Sequence, residues 1–579
     1  MSPGGARSEP AAPALPARAS GRLGNVLLCL VAASWVMAFA PAPVALVALP
    51  GIVATLELIE RCRKTRQAAG YVLLFGAIAI GFGYRWLGPT VRTFGELDER
   101  VGFWALPLSW LVLAAYGVAA TIHIVLFAAV HRAMVRGPRR PHPLATVALF
   151  VACETLPIRF LPWYAGYGAV DVAPLRQLAE VGGVAAISFG ILCLTLPFHE
   201  WLRWAFVRSG APARARAALA TFLVGVALYG AGAWRLSVVA GEERAATTHV
   251  RVGIVQANVG STAKRAAERR EADESRENRA AYERGTRKAA ERGAELIVWP
   301  ETALVEGMQL YDAPAGRFRP TPQIDRDLAR VGYPWIAEVG RSHAMILGGY
   351  SDEEEPPQAG TAVRTRRRYN VAVLRDVNGD AWGIYRKVKL MPFGEAMPGA
   401  GLVPSLNDLL PQTVRTSPGS PEQPLLRWKS RDLSICAFIC YDAIVPDLVA
   451  KLCGDERPDL LVNLTNDSWY GDSWEPDQHL NFARVRAVEH RVPLVRATNT
   501  GVSAVVLSTG EVVARLPWGA EDVLTYDVPI LARPRTVFAR IAAYVAPFTW
   551  LVGLVVAVAG VRRARRGVRA VSASTGAPR

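Results

Sequence analysis

A chain of 579 residues with 51% hydrophobic side chains and positive mean hydropathy has room for more than one domain and is too apolar for an ordinary soluble enzyme. Its formal charge of +16 does not gather on one folded unit; the basic residues fall in short clusters between apolar stretches, which points to membrane topology rather than to nucleic acid. Seven cysteines, an odd number with no C-x-x-C pair, indicate neither a zinc site nor a disulfide framework.

Residues 1–21, rich in Ala, Pro, Ser and Arg and without periodicity, read as a disordered cytoplasmic leader. Apolar segments follow at 22–40, 42–59, 70–88, 103–130, 143–159, 181–198 and 216–235, each close to or beyond the roughly 20 residues that cross a bilayer core. The first is read as a retained helix rather than a signal peptide because so many follow it. Segments 42–59 and 143–159 are short or broken by Pro, and a re-entrant path is the competing reading there. Together they predict a seven-helix transmembrane domain over 22–240.

Every even-numbered exit is basic: Arg61, Arg63, Lys64 and Arg66; Arg132, Arg136, Arg139 and Arg140; Arg203, Arg208, Arg214 and Arg216. The intervening loops, such as the uncharged APAP and the acidic GELDER, carry no basic excess. Even exits are therefore assigned to the cytoplasm, and the chain after the seventh segment emerges on the opposite side.

From 248 to 530 the composition becomes that of an α/β domain. Short apolar strands are predicted at 250–259, 295–301, 344–350, 370–376, 432–442 and 460–467, and a charged amphipathic helix at 262–292. An eighth span at 537–560 precedes a basic tail, 561–579, carrying Arg562, Arg563, Arg565, Arg566 and Arg569. Eight spans put both termini in the cytoplasm and the α/β domain outside it.

Four motifs in that domain stand at or near strand ends, where active sites of layered α/β folds lie. They are Trp299-Pro300-Glu301, YRKVKLMPFGEAMP at 385–398, Cys440-Tyr441-Asp442 and TNDSWYGDS at 465–473. Singly each has an ordinary explanation: a solvated carboxylate, surface lysines, a core thiol, a turn with packed aromatics. Cys436 is read as such a core thiol. Jointly, a thiol, a carboxylate and a lysine supply what acyl transfer through a thioester requires. Glu301 would deprotonate Cys440, and Lys387 with the amide of Tyr441 would stabilise the oxyanion.

In order and context, WPE, the lysine of YRKVKLMPFGE and the cysteine of ICYD resemble the Glu-Lys-Cys triad of the nitrilase (carbon-nitrogen hydrolase) superfamily. PFGE, NDSWYGDS, QHLNFARVRAVEHRVPLVRATNTGVS at 478–503, FLPWYAGYG at 160–168 and the order of seven spans, domain and one span narrow the resemblance to the apolipoprotein N-acyltransferase family. That resemblance implies an extracytoplasmic nitrilase-like α-β-β-α sandwich on a multi-span α-helical membrane domain, in a bacterial inner membrane. It implies a ping-pong exchange in which Cys440 takes an acyl chain from the sn-1 ester of a phospholipid, commonly phosphatidylethanolamine. The chain then passes to the α-amino group of a lipoprotein's S-diacylglyceryl-cysteine, with Glu301 acting in both steps. By the same resemblance Glu395 lies beside the triad, Tyr441 flanks the nucleophile, Asp442 and Trp469 support it, and no cofactor or metal takes part.

Two positions depart from the family pattern. Asp442 stands where Glu is usual, and Lys389 stands where a His usually follows the catalytic lysine. Counting back from PFGE selects Lys387, with Lys389 as the alternative. The competing functions are a membrane-anchored amidase or nitrilase that passes the thioester to water, and a catalytically silent scaffold. Loops at 305–320, 396–415 and 468–476 are expected to lie over the membrane as mobile lids. The sequence leaves open whether Cys436 and Cys453 pair.

Overall fold

The computed structural model describes residues 22–34, 45–94, 97–136, 140–157, 161, 164–207, 212–260, 272–308, 311–312, 317–318, 321–355, 365–377, 383–392, 394–396, 402–403 and 416–575. The expected leader, parts of the 305–320 loop and most of the 396–415 loop lie outside these residues.

The first half of the chain is helical: α1 (Arg22–Ala33), α2 (Ala45–Arg61), α3 (Thr65–Gly83), α4 (Leu87–Phe94), α5 (Leu97–Val101), α6 (Ala105–Ala120), α7 (Ile122–Val135), α8 (Pro143–Glu154), α9 (Ala173–Arg176), α10 (Ala179–Val207) and α11 (Pro212–Arg244). Among the described residues, five stretches are long and apolar enough to cross a membrane: Thr65–Gly83, Leu97–Val135, Ala179–Ala205, Ala213–Arg244 and Val537–Gly567. The other three expected spans hold shorter helices, α1, α2 and α8, of 12, 17 and 12 residues. The expected span 103–130 is a pair, α6 and α7, meeting at Thr121, whose hydroxyl donates back to the Gly117 carbonyl at 2.8 Å. Within α10 the backbone breaks at Gly182–Gly183. Gly183 has φ 62°, and a Cβ there would stand 2.5 Å from a ring carbon of Phe538, so only glycine admits both the turn and the neighbour.

The α/β domain contains β1 (Thr248–Gln256), α12 (Ala272–Glu291), β2 (Leu296–Val298), β3 (Leu304–Met308), β4 (Tyr311–Asp312), β5 (Arg317–Phe318), α13 (Thr321–Arg330), α14 (Trp335–Val339), β6 (Ala344–Glu355), β7 (Thr365–Arg375), β8 (Gly383–Arg386), β9 (Leu426–Trp428), β10 (Leu433–Ile439), α15 (Pro446–Cys453), β11 (Leu460–Thr465), α16 (Glu475–His490), β12 (Leu494–Thr498), β13 (Ala504–Val506), β14 (Val512–Arg515) and β15 (Asp522–Ile530). One sheet runs β15-β1-β2-β6-β7-β8, with β3 also on β6; the other runs β14-β13-β12-β11-β10-β9. Their inner faces meet in one core, in which Val252, Ile254 and Ile346 join Phe438, Val462 and Val495. Outside the first sheet, Ala281, Tyr282 and Ala289 of α12 pack on Ile297 and Trp299. Outside the second lie Leu448 and Leu452 of α15 with Leu480 and Ala483 of α16. The result is an α-β-β-α sandwich. β10 and β11 pair in parallel and are covered on both faces, which is why LSICAFI and LLVNLT are continuous apolar runs rather than alternating ones.

The long final helix α17 (Val537–Thr575) returns along the bundle, so that Gly560 lies against Met134 of α7. Its face carrying Tyr544, Phe548, Leu551 and Leu554 is exposed, as are Leu111 of α6 and Trp234 of α11. Apolar faces of this extent on isolated helices are what lipid covers. At one end of the bundle, Glu57 pairs with His199 and Arg203 at 3.0 Å, and Glu60 with His131 at 3.2 Å and Arg140 at 2.6 Å. The opposite end carries the sandwich. There Trp86 donates to Gln478 at 3.1 Å, Gln478 donates to the Gly83 carbonyl at 3.0 Å, and Arg491 pairs with Glu180 at 2.8 Å.

Candidate active site

Each of the three side chains that the sequence singles out for acyl transfer stands just past a strand. Glu301 follows β2 after Trp299-Pro300, with the indole of Trp299 anchored on the Thr286 hydroxyl at 2.9 Å. Lys387 is the first residue after β8, and its amide donates to the Asn370 carbonyl of β7 at 2.9 Å. Cys440 is the first residue after β10 and opens a tight turn, Cys440–Ile444. Its φ of 49° is left-handed, a conformation costly for a side chain with a Cβ and typical of groups held in place by their surroundings for function.

These three meet in a buried site. The Lys387 ammonium, 1% exposed, lies 2.9 Å from Oε1 of Glu301 and 2.7 Å from Oε2 of Glu395. Asn370 donates to the same two carboxylates, at 2.7 and 3.3 Å, and the Met391 amide donates to Glu395 at 2.8 Å. Burial works against a charged lysine here, but Glu301, Glu395 and Cys440 outweigh it and hold the ammonium proton well above the ordinary lysine range. Burial pushes the Cys440 thiol well up, reinforced by Glu301 and opposed by Lys387 and a hydrogen bond from Thr465. Cys440 therefore rests as a thiol, and to act as a nucleophile it would need a base. Lys389, by contrast, is exposed, so the geometry places Lys387 between the carboxylates.

Asp442, fully buried, binds the lysine loop to the nucleophile turn. It accepts from the Tyr385 hydroxyl at 2.7 Å, the Lys389 amide at 2.7 Å and the Ile439 amide at 3.0 Å, while burial raises its carboxyl to about 6. Tyr441 and Ile444 face the helix bundle, within its apolar core. Trp469 packs on that core too, and Tyr470 rather than Trp469 lines the cavity beside Cys440. The 468–476 loop, expected as a lid, rests on the end of α3, with Trp474 edge-on to Phe82 at 5.9 Å and under the Arg85 guanidinium at 4.1 Å. Cys436 and Cys453 touch, Sγ to Sγ 3.4 Å, with both thiols free.

A second group of polar residues went unassigned in the sequence. His479 of α16 lies 3.1 Å by Nε2 from the Cys440 carbonyl and 3.2 Å by Nδ1 from Asp467. Carbonyl and carboxylate only accept, so both ring nitrogens carry protons and the side chain is an imidazolium. Burial and Arg496 disfavour that charge, yet Asp467 and Glu475 lift its pKa to about 9. Arg496 holds the other oxygen of Asp467 at 2.9 Å. A Glu-x-x-x-His spacing at 475–479 was the available signal, since it puts both side chains on one helix face. Asn370, linking Glu301 to Glu395, had none.

Among the described residues, two carboxylate-histidine groups have donor atoms close enough for a metal: Glu60, His199 and Glu200, and Asp467, Glu475 and His479. Arg203 and Arg214 already neutralise the first and Arg496 the second, so in each a guanidinium stands where a cation would.

Among the described residues, two openings reach the Cys440–Ile444 turn. One is a cavity of about 20 Å³ shared by Cys440, Tyr84, Trp86, Tyr470, Glu475 and His479. The other is a cleft of about 520 Å³ running from Tyr441 and Lys389 between α8, α10 and α17.

The Carbon-nitrogen hydrolase family profile matches residues 251–532, and the Apolipoprotein N-acyltransferase N-terminal domain profile matches residues 31–197. An apolipoprotein N-acyltransferase of Bdellovibrio bacteriovorus is 31% identical over 79% of this chain and 80% of its own length. One of Geobacter metallireducens is 31% identical over 83% and 86%. The chain belongs to the apolipoprotein N-acyltransferase family. One of its members in Pseudomonas putida is 30% identical over 87% of this chain and 90% of its own. Among solved structures, a mutant of the Nesterenkonia AN1 amidase, of the nitrilase superfamily, aligns with 49% of this chain and 91% of its own at 20% identity, TM-score 0.32.

Proposed function

We propose that this protein is a membrane acyltransferase that moves an acyl chain from a phospholipid, through a thioester on Cys440, to the α-amino group of a lipoprotein's N-terminal S-diacylglyceryl-cysteine. The observation that carries the reading is the Lys387 ammonium clamped between Glu301 and Glu395 beside a buried, protonated Cys440. Glu301 takes the thiol proton as sulfur attacks the ester carbonyl. Lys387 and the Tyr441 amide stabilise the oxyanion, and Glu301 returns the proton to the departing lysophospholipid. Glu301 then accepts a proton from the incoming amine, nitrogen replaces sulfur at the carbonyl, and Cys440 is restored as a thiol.

The cleft between α8, α10 and α17 supports a lipid donor, because a hydrolase of small polar amides needs no route flanked by exposed apolar helices. We take phosphatidylethanolamine as the donor on the family resemblance. The basic exits of α2, α7 and α10 cluster at the end of the bundle away from the sandwich, which supports eight spans over 22–240 and 537–560, catalytic residues 248–530 outside the cytoplasm and both termini within it.

Purified protein incubated with labelled phospholipid and a diacylated lipopeptide should give an acyl-Cys440 adduct by mass spectrometry, then N-acylated peptide. Free fatty acid with no N-acyl peptide would favour the amidase-like reading instead. A reporter fused near residue 300 should mature only outside the cytoplasm.

A further inference from the structure

We propose that the cavity beside Cys440 is a binding site for a primary ammonium group, held by the Glu475 carboxylate against the rings of Trp86, Tyr84 and Tyr470. This rests on the acyl-transfer reading, in which that chemistry has two sources: an ethanolamine head group on the donor and the N-terminal amine of the acceptor.

Glu475 opens α16, is 6% exposed and lines the cavity together with Cys440. Its Oε2 has no hydrogen-bond partner among the described residues. A buried carboxylate oxygen without a donor is costly, and a donor arriving with a ligand removes that cost. The protein has little to offer it. Oε1 of Glu475 lies 3.4 Å from His479 Nδ1, which Asp467 approaches more closely at 3.2 Å, and the other ring nitrogen is engaged with the Cys440 carbonyl.

The aromatic part of the lining suits a cation. Trp86 and Tyr470 meet edge to face at 4.9 Å, Tyr84 stands 5.7 Å beyond Trp86, and Gln478 of the same helix as Glu475 fixes the indole. Aromatic faces attract an ammonium, most strongly where water is excluded. With Glu475 ionised, four carboxylates near Cys440 (Glu301, Glu395, Asp467 and Glu475) face three cations (Lys387, His479 and Arg496), so one further positive charge is accommodated and an anion is not. A cavity of about 20 Å³ admits one water-sized group, the size of an ammonium head, and excludes a phosphate. A divalent metal fits poorly. Both nitrogens of His479 carry protons and cannot ligate, and Arg496 already holds Asp467.

The test compares rate ratios, in which any unfolded fraction cancels. Acyl-enzyme is prepared from phosphatidylglycerol and discharged by a diacylated lipopeptide or by hydroxylamine, a neutral nucleophile. Acylation from phosphatidylethanolamine is compared with acylation from phosphatidylglycerol. In Glu475→Gln, a fall of about tenfold or more in the lipopeptide-to-hydroxylamine ratio supports the site and makes the acceptor amine its occupant. A similar fall in the ethanolamine-to-glycerol lipid ratio supports it with the head group as occupant. Both ratios within about twofold of the unaltered enzyme would overturn it. Alkylation of Cys440 by iodoacetamide in the unaltered protein keeps the proposal testable without the variant and without acyl transfer. Ethanolamine should slow it and ethylene glycol should not, and equal effects of the two would overturn the site.

Discussion

Two buried charge networks, one at the far end of the helix bundle and one in the sandwich at its other end, are both built around a pair of glutamates. At one end Glu57 and Glu60 are held by His131, His199, Arg140 and Arg203; at the other Glu301 and Glu395 are held by Lys387 and Asn370. The acids of the first network share Arg203, but each also has basic partners of its own, His199 for Glu57 and His131 with Arg140 for Glu60, and the network ties together α2, α7, α10 and the loop before α8. In the second, two acids share one ammonium, and a thiol on a strained backbone stands beside them next to open space. Burial and ion pairing are thus common to both. What sets the second apart is a thiol with open space beside it, the arrangement a nucleophile and its substrate would need.

The sharpest way to break that comparison is to remove the nucleophile. Cys440→Ser should lower N-acyl transfer by at least about a thousandfold, since the weaker hydroxyl must be activated by a carboxylate set up for a thiol. Retained transfer, read as labelled N-acyl lipopeptide, would move the chemistry elsewhere. Removing the shared cation comes next. Lys387→Met leaves Glu301 and Glu395 facing each other without a counter-charge and removes an oxyanion donor, and acyl-enzyme formation should fall roughly 100- to 1000-fold. A burst of acyl-enzyme at the normal rate would show that Lys387 serves only to pair charges, as the basic groups of the other network do.

Glu60→Gln probes that other network. Its carboxylate is buried between His131, Arg140 and Arg203, and breaking such a pair leaves uncompensated cations at a cost of about 3–5 kcal/mol. The thermal midpoint in detergent should drop, while the rate of acyl-enzyme formation per folded molecule stays as it was. A selective loss of acylation with an unchanged midpoint would mean that the two ends of the bundle are coupled.

Much of the sandwich was legible because both faces of its inner strands are covered, so LIV, LSICAFI and LLVNLT stand out as apolar runs. The strand ends then pointed to Glu301 and Cys440. Lys387 and Lys389 could be separated in the sequence only by register; in space one is buried between carboxylates and the other is exposed. Strands β12 to β15 passed unnoticed: β13 and β14 are only three and four residues long, and β15 takes its register from β1 at the other end of the domain. The membrane helices were legible as apolar lengths, but the break at Gly183 was not, because it answers to a ring of Phe538 more than 350 residues away. Asn370 and His479 were hidden for the same reason: what gives them a role is the carboxylate or carbonyl that another strand or turn brings to them.

The smallest expected effect concerns the imidazolium behind the nucleophile. His479 touches no reacting atom; it donates to the Cys440 carbonyl and so steadies the left-handed turn that presents the thiol. Folding raises its pKa from 6.5 to about 9, with Asp467 and Glu475 favouring the charge and Arg496 opposing it. A folded pKa above the unfolded one contributes stability that is fully present below about 6.5 and is lost as pH climbs through about 9. The thermal midpoint of the unaltered protein minus that of His479→Gln should therefore be largest in mild acid and shrink on the alkaline side. A gap that widened with pH would mean that His479 is neutral in the folded protein. The Cys440 carbonyl would then accept from a neutral imidazole, leaving the turn without a cation behind it.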